Sequence, residues 1–239
     1  MRVLTPDQSN SEARAAIMQS IRAHLADSAR VEFDHVHAAA IGSEQAPAAS
    51  PVVVSPVSSF RERLESVGGH CVTVRDEDEA ARALARIVSE LQAKDGAKRI
   101  ALSDAPLVTV LTRGITVPEI TVCPAASDLF SYDVGISTAQ AGIAETGTLI
   151  LEVEKERHRL VSLLPPVHIA IVKSGDIHLT IGEALTALRG DDENSLSRAI
   201  TFITGPSRTA DIELTLTVGV HGPKELYVIV IDGHDAGNQ

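Results

Sequence analysis

Tryptophan is absent from this 239-residue chain, and aromatic residues make up only 3% of it. Stacking platforms for nucleobases are therefore missing. Basic residues are also in deficit: 21 Lys and Arg against 32 Asp and Glu leave a net charge of −11. That excess repels phosphate backbones and argues against nucleic-acid binding, but not against a local pocket for a small anion. Only two cysteines occur, Cys71 and Cys123, with no CxxC spacing. Iron–sulfur and zinc-ribbon ligand sets are excluded, and two buried free thiols in a reducing compartment are expected. No apolar run approaches the ~18 residues of a membrane span. The polar start of the chain, residues 1–10, holds no signal-peptide core. The expected setting is the cytoplasm.

Apolar residues at 44% and charged residues at 22% are ordinary for a globular domain. A chain of this length can bury about 70% of its extended surface, ample for a core without metals or disulfides. Residues 10–28 read as a helix, with Ser9 and Glu12 as a capping box and Ile17, Ile21 and Leu25 as one stripe. Residues 29–57 are rich in Ala and Ser and carry Pro47, Pro51 and Pro56, the signature of an extended connection. Residues 1–57 thus form an arm. It is expected to pack on the body or on a second copy of the chain, as in a homo-oligomer.

In the body, residues 58–232, strands alternate with helices. Helices are expected over 60–67, 77–95, 105–113, 157–164 and 182–188. Strands are expected at 70–75, 98–102, 119–122, 167–172, 199–204 and 225–231. Residues 134–140 and 143–152 read as a strand pair around Ala141-Gly142, and 233–239 as a loose tail. The alternation predicts an α/β domain with a mainly parallel sheet flanked by helices. In such sheets ligands bind beyond the carboxyl ends of the strands.

Two polar clusters lie near predicted strand ends. The first runs from Ser137 through Glu145, Thr146, Gly147 and Thr148. Its glycines permit close backbone approach, and Glu145 can act as base, nucleophile or ligand. A polar hairpin turn with a solvated Glu accounts for the same residues. The second is Thr204-Gly205-Pro206-Ser207-Arg208-Thr209-Ala210-Asp211, read as the opening of a helix. Free N–H groups there attract an anion, Arg208 offers a two-point fork, and Ser207 and Thr209 add hydroxyls. A simply capped helix start is the alternative. His221, before the last strand, can shuttle a proton or merely bond backbone. His168 is expected to be half-buried and satisfied. His35 and His37 lack a third ligand for a metal. No GxGxxG, Walker loop or GxSxG is present.

Three strings in order carry a resemblance: Ala141-Gly-Ile-Ala-Glu-Thr-Gly-Thr-Leu149, Ser162-Leu-Leu-Pro-Pro-Val-His-Ile-Ala170, and Ile203-Thr-Gly-Pro-Ser-Arg-Thr-Ala-Asp-Ile-Glu213 followed by Gly219-Val-His-Gly-Pro223. Together they resemble the lactate-utilisation protein C family over residues 98–232. The resemblance implies a fold like that of sugar-phosphate isomerases and CoA transferases. It implies a bacterial role in oxidising L-lactate to pyruvate beside two iron–sulfur partner proteins. This chain has no cluster ligands and no cofactor is expected in it, so electron transfer falls to those partners. The family carries over no catalytic residue. Glu145 and His221 as proton-handling groups are read from the residues alone. So are Ser137, Thr146, Gly147, Thr148, Gly205, Ser207, Arg208 and Thr209 as ligand contacts to a small carboxylate or other anion. An acyl- or phosphosugar-handling enzyme using Glu145, and a non-enzymatic assembly subunit docking through the arm, are the alternatives.

Overall fold

Residues 18–20, 22, 55–153, 159–189, 197, 199–210, 216–218 and 222–233 are described by the computed structural model of the chain. The chain divides into residues 1–52 and 53–239. In the first unit, residues 18–20 and 22 are helical, within the helix expected over 10–28. The remainder of that helix, His35 and His37 lie outside the described residues, as do residues 234–239 of the expected tail.

In the second unit, helix α1 (Pro56–Ser66) starts at the proline that the sequence reading placed in the connection. Proline suits a first helical turn because its missing N–H has no partner there anyway. Phe60 and Leu64, four apart, turn inward and are fully buried. Helix α2 (Glu77–Asp95) follows strand β1 (His70–Val74) and begins where its capping residues predict. Asp76 accepts a bond from the Glu79 N–H at 2.8 Å. Glu79 reaches back one residue past the cap, to the Arg75 N–H at 2.9 Å. Gly96, in the left-handed region at φ 69°, ends the helix.

The main sheet has six parallel strands in the order β1, β12 (Glu225–Ile231), β7 (Val167–Lys173), β4 (Val134–Thr138), β2 (Arg99–Leu102), β3 (Glu119–Val122). Being covered on both faces, its central strands are almost continuously apolar. Ile169 and Ile171 of β7 face α2 and the short helix α3 (Pro106–Leu111), together with Ile136 and Ile229. Ala170 and Val172, alternating with them, face the other way, toward Phe60, Leu64 and Leu149. His168 falls on this second face by the same alternation.

That second face is covered by α1 and by a smaller sheet in the order β8 (Ile177–His178), β5 (Ala141–Ile143), β6 (Thr148–Glu152), β9 (Ile200–Ile203). Here the sequence reading is corrected. Residues 134–138 do not pair with 143–152; β4 joins the main sheet between β2 and β7. Ala141 and Gly142 lie inside β5, and the turn falls at 144–147. Gly142 is closely packed: a methyl there would stand 3.1 Å from Ile177 and 3.3 Å from Phe60. Gly147 is the turn glycine, at φ 65°, and a β-carbon there would stand 2.3 Å from the Leu64 nitrogen of α1.

A second correction concerns residues 204–211. They open no helix. Strand β10 (Arg208–Ala210) pairs antiparallel with β11 (Leu216–Val218), Arg208 opposite Val218. Thr209 is opposite Thr217, and β-branched residues on both sides favour the ladder over a helical turn. Of the expected helix at 157–164, the described residues 159–164 hold a 3-10 turn, Arg159–Ser162. Helix α4 (Ile181–Arg189) is close to its expected place. Cys71 and Cys123 are both half-buried and form no disulfide, and burial pushes the Cys71 thiol up to about 12.

Candidate functional site

Two concavities stand out. The smaller, about 170 Å³, lies between the sheets, against the amino-terminal end of β7. His168 forms part of its wall, with Ser162, Thr204, Gly205, Ser207 and Gly222. Gly222 fits closely here, since a methyl there would sit 3.1 Å from the Ser207 β-carbon. The Ser207 N–H is already engaged, donating to the Pro223 carbonyl at 2.8 Å.

His168 has 0% exposure. Its Nε2 lies 2.9 Å from the Ser137 hydroxyl on the neighbouring strand β4. Its Nδ1 has no partner, and it is the one buried side-chain nitrogen or oxygen among the described residues in that position. The expectation of a half-buried, satisfied histidine is therefore corrected on both counts. Burial takes the pKa of the ring down to about 3, so the imidazole is neutral at physiological pH. An unsatisfied buried polar group costs about 1–3 kcal/mol, which calls for an explanation.

The two sequence clusters do meet here. The Thr146 and Thr148 hydroxyls are 2.7 Å apart, and Thr148 lies 2.7 Å from the Thr204 hydroxyl. The antiparallel pairing of Leu149 with Ile203 places them so. Gly205 and Ser207 line the cavity, and Ser137 stands one hydrogen bond behind its wall. Thr146 is exposed at the far end of the hydroxyl chain.

Glu145 and Arg208 are placed elsewhere. Glu145 is exposed and accepts a bond from the Ile181 N–H at 3.1 Å, at the start of α4, where a carboxylate suits the helix dipole. Arg208 is exposed, and its guanidinium lies across Gly68 at the end of α1. Neither is among the residues lining the cavity. Thr209 belongs to β10, and His221 lies outside the described residues.

The larger concavity, about 710 Å³, opens at the carboxyl ends of β4 and β7, where parallel sheets hold ligands. Gln140, Lys173 and the buried Glu152 line it, with Leu107 and Leu188 as apolar walls. The Gln140 side-chain oxygen accepts the Glu152 N–H at 2.7 Å, and the Glu152 carboxylate accepts the Ser197 N–H at 3.4 Å. Among the described lining residues, Glu77 and Asp176 join Glu152 against Lys173. This acidic lining opposes a small anion, so size alone does not make it the better candidate. Sequence reading set His168 aside as a satisfied histidine and missed Glu152. The signal was a polar residue in an otherwise apolar strand, which alternation assigns to a buried face.

The sequence model of the LUD domain matches residues 57–231. The chain belongs to the LUD domain family. Relatives of this LUD domain chain include "Lactate utilization protein C" of Bacillus subtilis, 43% identical over 103 residues, which cover 42% of this chain and 43% of that protein. The protein of the same name from Oceanobacillus iheyensis is 39% identical over 102 residues, covering 42% of this chain and 44% of that one. An uncharacterised protein of Neisseria meningitidis serogroup B is 43% identical over 103 residues, again 42% of this chain and 43% of its relative. The matches span less than half the length of these relatives. A crystal structure of a DUF162 family protein from Deinococcus radiodurans aligns with a TM-score of 0.53 at 21% identity, covering 74% of this chain and 96% of that one. It bears out the LUD domain fold. Among the described residues no three His, Cys, Asp or Glu side chains are grouped to hold a metal ion. No helix among them is long and apolar enough to cross a membrane.

Proposed function

We propose that this LUD domain chain serves lactate utilisation, as a component of a bacterial L-lactate-oxidising system working with iron–sulfur partner proteins. It binds a small 2-hydroxy or 2-oxo acid at the mouth of the inner cavity. One observation carries the binding reading. The Thr148–Thr204 hydrogen bond draws the two polar clusters together around a recess walled by Gly205 and Ser207, with Arg208 next in the chain. The names of the relatives support the pathway.

In the reaction, L-lactate loses two protons, one from the hydroxyl and one from C2, and two electrons to become pyruvate. The electrons pass to clusters on the partners. This chain's share is to hold the acid, with the Arg208 guanidinium on the carboxylate. Acyl transfer through Glu145 draws less support, because one oxygen of that carboxylate is engaged at the start of α4.

The test is calorimetric titration with L-lactate and pyruvate. A charge-assisted hydrogen bond is worth about 1.5–3 kcal/mol, so Arg208→Ala is expected to weaken binding roughly ten- to hundredfold. Unchanged affinity in a folded variant removes Arg208 from the site. Lactate oxidation assayed with each partner omitted in turn tests the shared role.

A further inference from the structure

We infer that the inner cavity takes the uncharged, hydroxyl-bearing end of its ligand on Nδ1 of His168, with Ser137 as the positioning residue behind the ring. The inference deepens the proposed function. It rests on that reading for the ligand's identity, and on the cavity itself for the chemistry.

Three observations lead to it. First, Nδ1 of His168 is buried, without a partner, and on a side chain that forms the cavity wall. Nε2 is committed to Ser137 at 2.9 Å, so Nδ1 is the nitrogen left for a guest, which reaches it only where the wall gives way, because Nδ1 has essentially no accessible surface. Second, among the described residues lining this cavity there is no Lys, Arg, Asp or Glu. The wall offers hydroxyls from Ser162, Thr204 and Ser207 and apolar surface from Leu163, Phe202 and Leu226. A carboxylate pushed inside would be an unpaired buried charge, and it can only accept hydrogen bonds. Third, the cation nearest in sequence, Arg208, is exposed and is not among the lining residues.

A hydroxyl answers all three. It both donates and accepts, so it satisfies Nδ1 whichever tautomer the Ser137 contact selects. It carries no charge into the recess. The volume of about 170 Å³ equals about six waters at ~30 Å³ each, room for a group of a few heavy atoms. A 2-hydroxy acid can then turn its hydroxyl toward the ring while the carboxylate, on the adjacent carbon, stays at the mouth of the recess.

The experiment uses the full chain with ¹⁵N-labelled histidine and follows the imidazole nitrogens of His168 by NMR. Three probes are titrated separately: propane-1,2-diol, L-lactate and propionate. The diol keeps the hydroxyl without the charge, and propionate keeps the charge without the hydroxyl. The expected result is a saturable shift of Nδ1 with the diol and with L-lactate, and none with propionate. A propionate shift as large as that of the diol overturns the inference. So does silence with all three, which leaves only ordered water in the cavity.

The two readings fail separately. Lactate binding seen by calorimetry with an unmoved Nδ1 keeps the carboxylate site and overturns this one. A diol shift without lactate binding does the reverse. Ser137→Ala is expected to alter the Nδ1–Nε2 tautomer signature and weaken the diol several-fold. Unchanged signature and affinity remove Ser137 from its role. The titration of the unsubstituted chain decides the main point even if that variant fails to fold.

Discussion

His168 makes acid stability measurable at a single residue. Its pKa falls from 6.5 to about 3 through burial, and no charged partner offsets that burial. In the unfolded chain the ring takes a proton near pH 6.5, while the folded chain refuses it. Stability is therefore full above pH 6.5 and is lost as the pH falls toward the folded value. Between pH 7.5 and 5.0 the unfolded state gains about one and a half pH units of proton binding that the folded state does not match. At 1.36 kcal/mol per unit, the loss is about 2 kcal/mol. The figure requires only that the folded value lie well below 5. Against a domain stability of roughly 5–15 kcal/mol, this is a large fraction.

The comparison is with His168→Gln, which keeps a nitrogen near Nε2 for the Ser137 hydroxyl but cannot titrate. Urea unfolding at pH 7.5 and 5.0 gives each protein's acid loss, and the difference between the two losses cancels every other titrating group. The unsubstituted chain is expected to lose about 2 kcal/mol more than the variant. Equal losses would mean that His168 titrates normally when folded, and the argument from burial would fall.

Two further expectations concern the turn between β5 and β6. Gly147→Ala forces a side chain into left-handed backbone at φ 65° and against the backbone of α1. It is expected to cost more than ~1 kcal/mol in urea unfolding, and a neutral effect would mean that α1 is not packed there. Glu145→Gln removes a charge from the start of α4 and is expected to cost about 0.3–1 kcal/mol at low salt. Incubation with acyl-CoAs is expected to leave no adduct on Glu145, and a mass adduct lost in the variant would contradict the capping role.

The parts of the fold legible in the sequence are those whose causes are local. Asp76 and Glu79 announce α2 because the cap is made within four residues of chain, and Gly96 ends it by its own backbone freedom. The parallel sheet is legible because strands covered on both faces must be apolar throughout. Gly142 misled because a closely packed glycine looks, in sequence, like a glycine required by a turn. Residues 204–211 misled because their cap-like pattern is local, whereas the pairing of β10 with β11 is set by residues further along. His168 was undervalued for a related reason. Which face of β7 it shares, and that Ser137 lies beside it on β4, depend on strand order across the sheet. The meeting of the two polar clusters follows from the β6–β9 pairing, while Glu145 was claimed by a helix start that no spacing rule indicates.

The most direct test of the central claim is a crystal structure of the chain with L-lactate bound. The account predicts the hydroxyl within hydrogen-bond distance of His168 Nδ1 and the carboxylate on the Arg208 side of the recess. Lactate seated instead beside Lys173 at the carboxyl ends of β4 and β7, with the inner cavity holding only water, would contradict it.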